Sequence, residues 1–170
     1  SPIYAANPDF RKYYSMAQDH LLTSKGHQEF ISISYTNYYQ TIAHAAEFKE
    51  QNHDQNTLIK LNAIGCGAFF NPHFLVAATA RLAIEDARGD FPTCMPNLQV
   101  SIACNSSNDQ HLRATFDRIM NQTSLKDVRL MLDRGSPSYR KEMLAFAKQR
   151  EPDQRSYGNS EHGPGDFLNK

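Results

Sequence analysis

The chain lacks an excess charge of either sign: Lys+Arg 18 stand against Asp+Glu 18, so no net field gathers nucleic acid or an anionic membrane surface. Any anion bound here must be held locally. Cysteine is scarce and odd in number. Cys66, Cys94 and Cys104 form no CxxC pair, which argues against a disulfide frame, gives zinc or another metal no ligand pattern, and points to free thiols. The expected location is a reducing compartment, cytoplasmic or reached by delivery into a cytosol. Also missing is any apolar run of about 18 residues. Residues 1–10 (SPIYAANPDF) lack the basic and apolar regions of a signal peptide, so the expectation is a soluble protein with no membrane partner. There is no internal repeat.

What is present is ordinary globular composition, 40% hydrophobic and 21% charged over 170 residues, which suits one domain with an appendage. The chain opens in a short strand, Ile3-Tyr4-Ala5-Ala6, and reads as the continuation of a longer parent. Asn7-Pro8-Asp9 is turn chemistry, and Phe10, Tyr14, Ala17 and Leu21 then predict a helix over 10–22. Thr23-Ser24-Lys25-Gly26 is expected to interrupt it. Ile31, Tyr35, Tyr38, Ile42 and Ala45 recur at helical spacing in a longer amphipathic helix that fades by Lys49. Its tyrosines and Phe48 read as packing rather than a ligand cage.

Residues 50–56 are polar and read as a loop, and 58–64 as a largely buried strand. A glycine turn follows. Asn71 suits a helix cap and Pro72 the first helical position. Leu75, Ala78 and Leu82 with Val76, Ala80 and Ala83 then give one apolar side to about Ala87. After a loop over 89–97, Leu98, Val100, Ile102 and Cys104 alternate with Gln99, Ser101 and Ala103, a strand near a sheet edge. Ser107 and Gln110 have capping-box spacing, and Leu112, Phe116 and Ile119 continue as a helix. Further helices are predicted over 125–132 and, after Ser136-Pro137, to about Lys148; residues 151–170 read as a mobile tail.

Strands alternating with helices predict an α/β fold with a mostly parallel sheet flanked by helices. Ligands in such sheets bind outside the carboxyl ends of the strands. That rule selects Ala6-Asn7, residues 65–71 and residues 105–108, all rich in small or amide side chains. In Gly65-Cys66-Gly67-Ala68-Phe69, the glycines permit positive φ and leave nothing between backbone N–H groups and an anion. The helix that follows adds about 0.3–1 kcal/mol for negative charge near its first turn. Phe69 or Phe70 is placed to lie against a sugar or base. The same glycines also suit a plain tight turn.

A dinucleotide fingerprint would need glycine where Phe70 stands and an acid where Cys104-Asn105 stands, and a P-loop would need a lysine that the turn lacks. Ile64-Gly65-Cys66-Gly67-Ala68-Phe69-Phe70-Asn71-Pro72, between a strand and an alanine-rich helix, instead resembles the second ligand loop of macrodomains, the ADP-ribose-binding fold. It is most similar to the poly(ADP-ribose) glycohydrolase-like branch. The likeness extends over about 3–120, and the glycine loop is its specific part.

The resemblance implies a three-layer macrodomain-like sheet whose C-terminal portion is residues 1–121, a helical appendage at 122–150 and a flexible tail at 151–170. It implies ADP-ribose as the ligand, with no cofactor, and an ADP-ribosylated protein as partner. Backbone amides of 65–69 would hold the diphosphate and distal ribose. Phe69 or Phe70 would border that ribose, Asn105 would lie near the adenine, Asn71 would brace the loop, and Ala6 and Asn7 would line the first strand's end.

The branch's glycine-rich acidic segment does not occur in this chain, so a hydrolase would draw its catalytic acids from before Ser1 in the parent. Asp9 and Asp109 are explained by turn and cap duty, and His44, His53 and His73 as surface or helix-end residues. Cys66 reads as a small loop residue. The implied activity is removal of ADP-ribose from a modified protein. The alternatives are a non-catalytic reader, and an interaction domain using 125–150 and the tail.

Overall fold

The computed structural model describes residues 23–52, 57–64, 66, 71–103 and 110–157. The expected strand at 3–6, helix at 10–22, cap at Ser107 and most of the tail lie outside the described residues. Within them the chain is mostly helical around a small parallel sheet. The order is α1 (Ser24–Asn52), β1 (Thr57–Asn62), α2 (His73–Asp90), a 3-10 turn (Met95–Asn97), β2 (Leu98–Ala103), α3 (Gln110–Asp117), a π turn (Arg118–Gln122), α4 (Leu125–Leu132) and α5 (Pro137–Tyr157).

α1 begins earlier and ends later than its sequence suggested. Thr23 starts it: its hydroxyl accepts from Gly26 N at 3.2 Å and its carbonyl from His27 N at 3.0 Å. Ser24 to Gly26 therefore belong to the helix instead of interrupting it, and Gly26 and His27 are buried. Burial outweighs the cost of about 1 kcal/mol for a helical glycine. The inward line is Phe30, Ser34, Tyr38, Ile42 and Ala46, with Ile31, Tyr35 and Ala45 only half-buried. At its far end the helix continues through 50–52, which had read as loop.

β1 and β2 run parallel, with Ile59 opposite Val100 and Leu61 opposite Ile102. Ile59 and Leu61 are buried, whereas Leu58, Lys60 and Asn62 face solvent. β1 is thus covered on one face, in contrast to the largely buried strand anticipated. Gln99 and Ser101 are exposed and Val100 and Ile102 half-buried, as expected of a strand near an edge.

α2 joins the two strands and sits at the centre. Residues 73–80 are buried on every side, because α1, α3, the π turn and α4 all pack on it. Alanine at 77, 78, 80, 83 and 87 permits that close approach. The single apolar side expected of this helix applies only to its second half, which runs to Asp90 and takes Gly89 out of the predicted loop. Three hydroxyl contacts tie α1 to α2. Ser34 Oγ and Thr79 Oγ1 share a buried bond of 2.7 Å, while Tyr35 and Tyr39 donate to Asp86 at 2.7 Å and Asp90 at 2.5 Å.

α3 buries Leu112, Thr115 and Phe116, then widens into the π turn, which buries Ile119. A π turn displaces carbonyls from the helical ladder. Arg81 of α2 answers this: its Nη1 donates to Ile119 O at 3.2 Å and also to Met120 O.

α4 lies where its sequence predicted, capped by Ser124, whose hydroxyl accepts from Asp127 N at 3.1 Å. α5 starts with Ser136 accepting from Tyr139 N at 3.0 Å and Pro137 in the first helical position. It runs to Tyr157, beyond both the predicted end near Lys148 and the start of the expected tail. Val128 and Met131 of α4 and Tyr139 and Phe146 of α5 are buried in the same core as α1 and α2. No helix among the described residues is long and apolar enough to cross a membrane.

Candidate functional site

The carboxyl end of β1 is where a parallel sheet offers a ligand site, and two side chains fix the chain there. Tyr38 reaches from α1, donating to Asn62 O at 2.7 Å and accepting from Ile64 N at 3.2 Å. Tyr38 is fully buried, so its ring belongs to the core while its hydroxyl sets the direction in which the strand leaves the sheet.

Asn71 holds the other end of the glycine turn. Its Nδ2 donates to Ile64 O at 3.4 Å, and the side chain is wholly buried. This contact ties position 71 to position 64 in place of the helix cap expected from sequence. The capping position falls to Pro72, with φ −59° and ψ 120° and no side-chain cap bond, one residue before the helix it was expected to begin. Asn71 Oδ1 is buried and has no hydrogen-bond partner among the described residues.

Cys66 is buried, with its N–H on Ala63 O at 3.2 Å. Of the sequence-predicted site residues, Cys66 and Asn71 are thus brought to this edge. Ala6, Asn7, Gly65, Gly67, Ala68, Phe69, Phe70 and Asn105 lie outside the described residues, as do Asp9, His53 and Asp109.

Beside the first turns of α2 and α3 is a cavity of about 250 Å³ that the motifs did not indicate. His73 opens α2, one of the two placements expected of it, at a surface or a helix end, and it is buried. Its ring centroid is 5.8 Å from that of His111 on α3, and 5.8 Å from Phe146 on α5. Thr115 Oγ1 is 3.5 Å from His111 Nδ1. Arg118 Nη1 and Nη2 donate to the two carboxylate oxygens of Glu142 at 2.8 and 2.9 Å, joining the π turn to α5 across the cavity wall. His44, by contrast, is exposed on α1 near Glu47.

One legible signal did exist: His111, Thr115 and Arg118 fall at i, i+4 and i+7, one face of a helix. What no local pattern revealed was that α5 would close over that face. No group of three or more His, Cys, Asp or Glu that could hold a metal occurs among the described residues. No family model, curated protein or solved structure matches this chain.

Proposed function

We propose that the chain recognises ADP-ribose, free or attached to a protein, with residues 65–71 as its diphosphate turn in a three-layer, macrodomain-like sheet. One observation carries this reading. The strand end before the glycines is tied to α1 through Tyr38, and Asn71, four residues beyond Gly67, is tied back to Ile64. A turn anchored at both ends, at the carboxyl edge of a parallel pair and leading into a buried helix, suits backbone amides held ready for an anion. Participation in a hydrolase that removes ADP-ribose is proposed on the resemblance of the turn.

Titration calorimetry of the chain with ADP-ribose tests the reading. Saturable heat is expected, with Gly67→Val weakening it at least about tenfold, a loss of 1.4 kcal/mol, while helical circular dichroism is retained. Heat equal to that of buffer overturns it. Release of ADP-ribose from a modified protein then separates an eraser from a reader.

A second reading rests on exposed Leu130 and Leu144, the latter 64% exposed. These suit docking of α4 and α5 to another protein. In that case Gly67→Val leaves every ligand assay unchanged.

A further inference from the structure

We infer that the cavity between α2, α3 and α5 is an oxyanion site, taking a phosphate or carboxylate group on His111, Thr115 and Arg118. The inference does not depend on the glycine turn: there backbone amides would hold a diphosphate, here side chains hold one oxyanion. The three donors share one face of α3 and the π turn, opposite His73, with Phe74 and Phe146 as apolar walls. At ~30 Å³ per water, the cavity of about 250 Å³ has room for roughly eight waters.

The donors have capacity to spare. Arg118 commits one N–H on each terminal nitrogen to Glu142, leaving three of the roughly five N–H groups a guanidinium offers. The contact between His111 Nδ1 and Thr115 Oγ1 uses one proton of the pair: with the hydroxyl donating, Nε2–H is left for an anion, and with Nδ1–H donating, the hydroxyl is. Glu142 is itself informative, because its two oxygens meet Arg118 in the paired geometry by which arginine grips carboxylate and phosphate. The oxyanion now on Arg118 is the protein's own.

Among the described residues lining the cavity, the titratable and charged groups beside His111 are His73 from α2, Arg118 from the π turn and Glu142 from α5. Arg118 and Glu142 cancel, so an incoming oxyanion competes with Glu142 for the guanidinium. Removing that internal competitor must therefore strengthen binding. A purely structural ion pair predicts no such gain.

The test is side-chain nitrogen NMR of the full chain labelled at histidine, titrated with inorganic phosphate, acetate or chloride at constant ionic strength. Saturable shifts are expected at His73 and His111, not at His27 or His44, and not with chloride. Phosphate alone acting assigns a phosphate ligand, and acetate alone a carboxylate. Glu142→Gln is expected to tighten binding about fivefold. Arg118→Gln is expected to weaken it about tenfold or more. Should Arg118→Gln fail to fold, judged by circular dichroism, Glu142→Gln and His111→Gln decide the matter. Unsaturated shifts up to about 50 mM phosphate, equal shifts with chloride, or no gain in Glu142→Gln overturn the assignment.

Discussion

Replacing Tyr38 by phenylalanine removes one oxygen and disturbs two bonds at the start of the glycine turn. The ring is fully buried and phenylalanine refills it, so the change is polar rather than a cavity. The hydroxyl donates to Asn62 O and accepts from Ile64 N. A net hydrogen bond contributes about 0.5–1.5 kcal/mol, giving about 1–3 kcal/mol for the two.

Exposure narrows that range: Asn62 is exposed and Ile64 half-buried, so both groups regain some water. Tyr38→Phe should thus cost about 1–2 kcal/mol, with Tm falling by roughly 2–4 °C per kcal/mol in a chain of this size. Tyr39→Phe is the control, because its hydroxyl meets Asp90 at the surface and should cost about 0.5 kcal/mol or less. Urea unfolding of both variants measures the difference. Equal losses, or a Tyr38→Phe loss below about 0.5 kcal/mol, would refute the reasoning.

Burial holds the His27 imidazole below its ordinary 6.5; the Leu132 carbonyl opposes that, the Arg134 charge adds to it, and Asp133 opposes it. As pH falls through 6.5 the unfolded chain takes the proton first, so stability present above that pH declines below it and levels off beneath the folded value. His27→Gln should flatten that slope in urea midpoints taken from about pH 8 to pH 5, and an unchanged slope counts against it. Ile119→Ala, at a fully buried position of the π turn, should cost about 2–5 kcal/mol by the same assay. Ser136→Ala removes the oxygen that caps α5 and should cost about 0.5–2 kcal/mol, with little effect signifying that Pro137 alone suffices to start the helix.

The elements that were legible are those whose start signals are local. Ser136-Pro137 announces α5, and alternation at 98–103 announces β2. What escaped was decided by partners distant in sequence. Gly26 is helical because α1 begins at Thr23 and neighbouring His27 donates to Leu132 O, 105 residues away, at 2.7 Å. Ser34 lies buried in the inward line of α1, where Thr79, 45 residues away, shares a bond with it.

At the site, Cys66 and Asn71 stood out because a glycine-rich strand-to-helix segment is written in consecutive positions. The face formed by His111, Thr115 and Arg118 was equally written, but its significance depends on Glu142 and Phe146 on a helix that begins after two further turns. That His73 is buried at its helix end has a related cause. A helix start is often exposed, and here α3 and α5 cover it.

The widened turn at 118–122 and the arginine at position 81 constrain each other's ancestry. A helix lacking the extra residue would leave that guanidinium facing carbonyls already engaged, and a leucine at 81 would strand the two it now serves. Each change alone is a step downhill, so lineages should gain or lose them as a pair, and relatives of this chain can be sorted by whether both are present.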